Sequence, residues 1–294
     1  MVQGPKSKVQ SRALGARASR PALWFSFRRC CAMFLLLALT GLPQQAGAAW
    51  GSVGTLGSAQ SKTADQSSAV LTTSAAAEAG NVVVLIVAVD NNQTADGDEG
   101  AVTSVTDSAG GNTWTKGVEF CNGQGTAQTG ATVSIWFSKL TNQINSGGTI
   151  TANLSNNTSR DASAMSAWEY TIGAGNIVTV EVTNTLAGDG NDPQSLNATT
   201  PNAEFLRVRG IAGETNNTIQ MTATGSWTLF SNNQTSGGGA ASNMAVRGEF
   251  RINTATSAAS DPAWTSLDNA NGYVALKEAA APPPRGRRLF WFGD

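Results

Sequence analysis

Asn81-Val-Val-Val-Leu-Ile-Val-Ala-Val-Asp90 decides the fold. Its apolar core, Val82 to Val89, is dominated by β-branched residues. It falls far short of the roughly 20 residues a helix needs to cross a bilayer. A short apolar run of this composition reads as a strand buried on both faces, which places it in the middle of a layered sheet protein. A polar, acidic loop follows from Asn91 to Gly100. Then Val102 to Thr115 reads as two short strands hairpinned around Asp107-Ser-Ala-Gly-Gly-Asn112.

Working outward, period-two alternation recurs. In Ala131–Lys139, Val133, Ile135 and Phe137 share one face and Thr132, Ser134, Trp136 and Ser138 the other. Ala162–Ile172 sets Trp168, Tyr170 and Ile172 against Met165 and Glu169. Ile177–Thr183, Phe205–Ile211 and Ala245–Ile252 alternate in the same way, and shorter strands are expected at 68–73, 149–154, 219–230, 263–267 and 272–277. No window carries a helical period, and Gly, Ser, Thr and Asn fill the gaps. This spacing predicts an all-β chain, an antiparallel two-sheet sandwich of jelly-roll type, with one domain over 49–280. Two smaller sandwiches divided near 190–200 are the alternative.

The ends differ from this body. Residues 1–32 carry Lys6, Lys8, Arg12, Arg17, Arg20, Arg28 and Arg29 and no acid. The apolar run to Leu42 and the small residues Ala46 and Ala48 complete a secretory signal peptide over 1–48; a transmembrane anchor is the competing reading. Secretion to the exterior or periplasm follows, with no transmembrane span once the signal is cleaved. Residues 281–294 join Pro282-Pro-Pro284 to Arg285-Gly-Arg-Arg-Leu-Phe-Trp-Phe292. They read as a disordered tail or as a docking peptide for a protein partner or the cell surface.

The chain has 19 Lys and Arg against 20 Asp and Glu. Seven of the basic residues lie in 1–48 and three in 281–294 with Asp294, so 49–280 keeps nine basic and nineteen acidic residues, a net charge near −10. That argues against nucleic acid and anionic membranes as partners. Cys30 and Cys31 leave with the signal, so Cys121 has no internal partner for a disulfide. The chain contains no histidine, which removes His-dependent triads, general bases and metal ligands together.

Several pieces resemble a module found in secreted bacterial and phage-derived proteins. They are Gly80-Asn-Val-Val-Val84, Val105-Thr-Asp-Ser-Ala-Gly-Gly-Asn-Thr-Trp114, Ile135-Trp136, Trp168-Glu-Tyr170, Pro262-Ala-Trp-Thr265 and Gly272-Tyr-Val-Ala-Leu-Lys277. The extra glycine at 110–111 departs from the pattern. The resemblance implies a secreted or cell-surface accessory β-sandwich, and it brings no site residues with it.

Three signals point toward chemistry. Asp90, Asp96, Asp98 and Glu99 crowd one loop, as calcium ligands do in sandwich domains, with Asp189 and Asp192 as a second acidic pair. Trp136 beside Ser134 and Thr132 offers an aromatic ring among hydroxyls, suited to stacking on a sugar. Arg207, Arg209, Arg247, Glu249 and Arg251 predict a cross-strand charged ladder on a solvated face. The favoured function is binding or adhesion, with a glycan or cell-surface polymer as ligand. A structural subunit of a surface or phage-like assembly is the alternative. A polysaccharide-acting enzyme is the third reading, with Glu169 and Glu181 the one nameable carboxylate pair.

Overall fold

All strand pairings in this computed structural model are antiparallel, across the residues the structure describes: 50–125, 129–155, 160–189 and 192–282. The expected signal peptide, residues 156–159 and nearly all of the tail lie outside them. The first eight strands are β1 (Gly51–Ser61), β2 (Ser68–Thr72), β3 (Val82–Asp90), β4 (Val102–Asp107), β5 (Thr115–Cys121), β6 (Ala131–Lys139), β7 (Thr149–Leu154) and β8 (Ser163–Thr171). The rest are β9 (Asn176–Asp189), β10 (Phe205–Glu214), β11 (Thr228–Leu229), β12 (Asn233–Gln234), β13 (Met244–Asn253) and β14 (Asp268–Ala280).

These strands form three sheets. The first runs β1-β8-β3-β6-β5, the second β2-β7-β4, and the third β11-β13-β10-β14-β9 with β12 also on β13. β3 lies at the centre of the first, bonded along its length to β6 and β8. Val82, Val84, Ile86 and Ala88 face the third sheet, among Val133, Ile135, Phe137, Leu206, Val208, Val246 and Leu276. Val83, Leu85, Val87 and Val89 face the second, among Leu71, Trp114, Ile150 and Ala152. Burying each such side chain contributes about 1.5–3 kcal/mol over leaving it in water. The antiparallel sandwich therefore stands, with a third layer beyond the two expected, because β3 has two apolar faces to cover.

β1 to β8 divide between the first two sheets, ordered β1-β8-β3-β6-β5 and β2-β7-β4. β5 pairs with β6 in the first sheet, whereas β4 pairs with β7 in the second. The expected 102–115 hairpin is thus a crossing between layers. Asp107 holds it, accepting from Ala109 N (3.0 Å), Asn112 Nδ2 (3.1 Å) and Trp114 Nε1 (2.8 Å), while Trp114 turns into the core. Residues 263–267 are loop, not strand, and 219–230 yields only the two-residue β11.

The first and third sheets meet at a row of glycines. Gly248, Gly210 and Gly272 stand side by side on β13, β10 and β14. A Cβ on Gly210 would lie 2.9 Å from Ile86 Cγ2 and 3.1 Å from Ile135 Cδ1. One on Gly272 would lie 3.1 Å from Val118 Cγ1, and one on Gly248 would overlap Ile86 Cδ1. The missing side chains make a trough that seats these branched residues, the usual reason for glycine inside a strand.

Gly210→Ala or Gly248→Ala should therefore destabilise the protein by about 1–3 kcal/mol, the cost of overpacking. Gly239→Ala, where an added Cβ meets nothing within 4 Å, should stay within about 0.5 kcal/mol. Urea denaturation checks this, and equal costs at the two kinds of site would contradict the packing described.

Candidate functional site

The residues expected to meet a sugar face inward. Trp136 is 6% exposed, and Ser134 and Thr132 are fully buried. Trp136 Nε1 donates to Ser134 Oγ (2.7 Å), the Lys116 ammonium lies 5.7 Å from the ring centre, and the Thr132 hydroxyl donates to Glu99. The second sheet covers this face, so the stacking surface is corrected to core. The hydroxyls that made it look wet find their partners inside the protein.

The acidic loop does not converge either. Asp90 Oδ2 accepts from Asp161 N (2.9 Å) and Ala162 N (2.7 Å). Asp96 Oδ1 accepts from Gly123 N (3.0 Å), and Asp98 pairs with Lys116 (3.6 Å). Glu99 meets Arg160 (3.1 Å) and accepts from Asn92 N (2.9 Å). Among the described residues no three His, Cys, Asp or Glu side chains gather as a metal set. The calcium expectation at Asp90, Asp96, Asp98 and Glu99 is corrected: backbone amides and cations already occupy these carboxylates. Asp192 accepts from Trp264 N (3.1 Å), and the Asp189 carboxylate lies outside the described atoms. Glu169 and Glu181 belong to different sheets: Glu169 Oε1 accepts from Glu78 N and Asn81 Nδ2 (both 2.7 Å), and Glu181 pairs with Lys277 (3.9 Å). Burial and the Glu99 charge push the Cys121 thiol up to about 11, so it stays protonated and inert at neutral pH.

The arginine ladder exists in register, with Arg207 opposite Arg251 and Arg209 opposite Glu249. Its expected exposure is corrected, since Arg207, Arg209, Arg247 and Glu249 are all buried. Loops fold over this outer face of the third sheet and supply carbonyls to the guanidinium groups. Arg207 donates to Ala198 O (3.4 Å), Thr200 Oγ1 (2.6 Å) and Ala255 O. Arg209 donates to Gln194 O (2.9 Å) and Ser260 O (3.2 Å). Arg247 donates to Asn233 O (3.0 Å) and Asn217 O (3.4 Å). Burial pulls Arg209 and Arg247 down to about 10, still cationic at neutral pH. The arginines thereby pin three long loops to the third sheet.

Between two of these loops an open cleft of about 400 Å³ is lined by Asp192, Asn217, Ile219, Gln220, Thr222 and Ala263–Thr265. Its two sides are tied by Thr222 N to Ala263 O (2.9 Å) and Ala263 N to Thr222 O (3.1 Å). Trp264 forms part of the wall, 5% exposed, with the Arg247 guanidinium 4.9 Å from its ring centre. Asn217 Oδ1 accepts from Ile219 N (2.9 Å), a local turn that leaves Ile219 71% exposed. Gln220, Thr222, Thr265 and Asp192 are exposed. Sequence reasoning missed this cleft apart from Asp192. The available signal was Ile219, a lone apolar residue in the polar run Glu214-Thr-Asn-Asn-Thr-Ile-Gln220.

A second feature is a carboxyl pair of buried Glu214 and half-buried Asp268. Glu214 is 2% exposed and shares a side-chain hydrogen bond with Asp268. Burial, then the Asp268 and Asp90 charges, raise Glu214 from 4.5 to about 8, against a hydrogen bond from Gly130 N–H. Burial likewise raises Asp90 from 3.8 to about 6. Two facing carboxyls cannot both ionise cheaply, so Glu214 keeps its proton at neutral pH. Both folded-state values exceed the unfolded ones, so the folded chain binds more protons through this window. Stability is then fully present below about 4 and is lost as pH rises through about 6 and about 8. The thermal midpoint should fall between pH 5 and pH 9, and Glu214→Gln, which keeps a donor toward Asp268, should flatten most of that slope. An unchanged slope in the variant would rule out Glu214 as its source. No protein family, curated protein or solved structure matches this chain.

Proposed function

We propose that the chain is an exported β-sandwich binding module whose loop-built cleft on the third sheet takes a carbohydrate. The observation that carries this reading is the chemistry of the cleft wall. One carboxylate, the Gln220 amide and two threonine hydroxyls surround an exposed isoleucine within about 400 Å³. Sugars present vicinal hydroxyls around apolar C–H faces. A concave site answers them with a few fixed polar groups beside an apolar patch. Asp192 has one oxygen committed to Trp264 N and the other without a partner among the described residues, which leaves an acceptor for a sugar hydroxyl.

Further support comes from the N-terminal signal-like segment and from the strongly acidic body, which suits an extracellular polymer better than nucleic acid. The resemblance to secreted accessory sandwiches points the same way. No helix among the described residues is long and apolar enough to cross a membrane.

A glycan array and a cell-wall pull-down, followed by calorimetry on any hit, test the reading. Asp192→Ala and Gln220→Ala should each weaken binding about tenfold, the effect of one lost charged or well-placed hydrogen bond, with little change in thermal midpoint. Blank arrays and pull-downs, or binding indifferent to both substitutions, would overturn it.

A further inference from the structure

β13 outruns its outer neighbour. β11 covers it at Phe250 and Glu249, and beyond Phe250 no described strand lies on that side. An open groove of about 400 Å³ sits at this bare edge, lined by Ser226, Thr228, Phe250, Arg251, Ile252 and Asn253. It lies apart from the cleft described above and shares no lining residue with it.

The groove wall is rich in donors. Arg251 is half-buried, and its guanidinium has no hydrogen bond or ion pair among the described residues. Asn253 Oδ1 accepts from Arg207 Nε (2.9 Å), which fixes the amide with its oxygen toward the protein. Its Nδ2 is buried and unpaired. Ser226 and Thr228 add hydroxyls, and among the described residues no carboxylate lines the groove, although the body around it is net acidic.

The charge beneath is also uncompensated. Arg207 stands directly across from Arg251, and like charges in that position repel. The partners of Arg207 are all neutral: Ala198 O, Thr200 Oγ1, Tyr273 Oη, Ala255 O and Asn253 Oδ1. An anion against Arg251 would relieve that repulsion. A guanidinium presents two parallel donors to a planar carboxylate, a better match than to a tetrahedral ion. Ile252, half-buried, adds an apolar side chain to the lining.

We propose that this groove is a second binding site, for the carboxylate of an acidic sugar residue in a uronate-containing polysaccharide. The guanidinium of Arg251 receives the carboxylate, with the hydroxyls of Ser226 and Thr228 beside it. The ligand class rests on the carbohydrate reading above, whereas the preference for an anion rests on the groove alone.

The test is calorimetry at low salt with an oligogalacturonate, a neutral oligogalactose and inorganic phosphate as probes. The acidic oligomer should bind, and Arg251→Gln should weaken it at least about tenfold, as expected for losing a charge-assisted hydrogen bond. Thr228→Val should weaken it less. Lys277→Gln, which removes one positive charge elsewhere on the third sheet, should leave it unchanged. Neutral oligomer should not displace the acidic one. The proposal is overturned if oligogalacturonate does not bind, if Arg251→Gln binds it as well as the native chain, or if phosphate competes on equal terms. Neutral glycan binding lost in Asp192→Ala, with no uronate binding at all, would sink this site and leave the other standing.

Discussion

A strand with two apolar faces has to be covered twice. Val82 to Val89 cannot sit at an edge or on a solvent-facing sheet without exposing about half its side chains, at roughly 1.5–3 kcal/mol each. The three-layer arrangement answers that constraint: the second sheet takes the odd-numbered residues and the third takes the even-numbered ones. The glycine row on β13, β10 and β14 follows from it, because Ile86 and Ile135 reach the third sheet only where side chains are missing. The chain beyond residue 176 is thus bound to the first sheet through the even face of β3 and its neighbours.

The third sheet carries the binding chemistry because of what lies on its far side. Its inner face is spent on β3 and β6, and its outer face is mixed, with Arg207, Arg209, Arg247 and Glu249 in alternate positions among Phe205, Ile211 and Tyr273. Buried arginines need acceptors, and the loops at 194–200, 217–234 and 255–260 provide them as backbone carbonyls. Loops held this way need little secondary structure of their own, β11 and β12 being two residues each. The cleft at Asp192 and Gln220 and the groove at Arg251 are places where that covering is incomplete.

The strands were largely legible in the sequence, and the coverings were not. Alternation in 131–139 and 245–252 correctly grouped the residues that share a face. It carries no information on whether sheet, loop or water meets that face. Trp136 shows the consequence. Thr132, Ser134 and Ser138 around it read as solvent-facing, but Thr132 and Ser134 satisfy their hydroxyls with Glu99 and Trp136 and so tolerate burial. Arg207 and Arg209 read as solvated for the same reason, since their acceptors are carbonyls of loops up to about fifty residues away. The acidic loop at 96–99 gathered carboxylates in sequence, yet each caps a local amide or meets a cation. The Glu214–Asp268 pair brings together two residues of different strands, and nothing local marks it.

Native-state hydrogen exchange at the backbone amides of β3 tests the central claim most directly. The account predicts that amides from Val82 to Asp90 exchange only through global unfolding and rank among the slowest in the chain, far slower than those of the edge strands β1 and β2. Exchange in β3 as fast as in β1 would contradict a strand enclosed between two sheets.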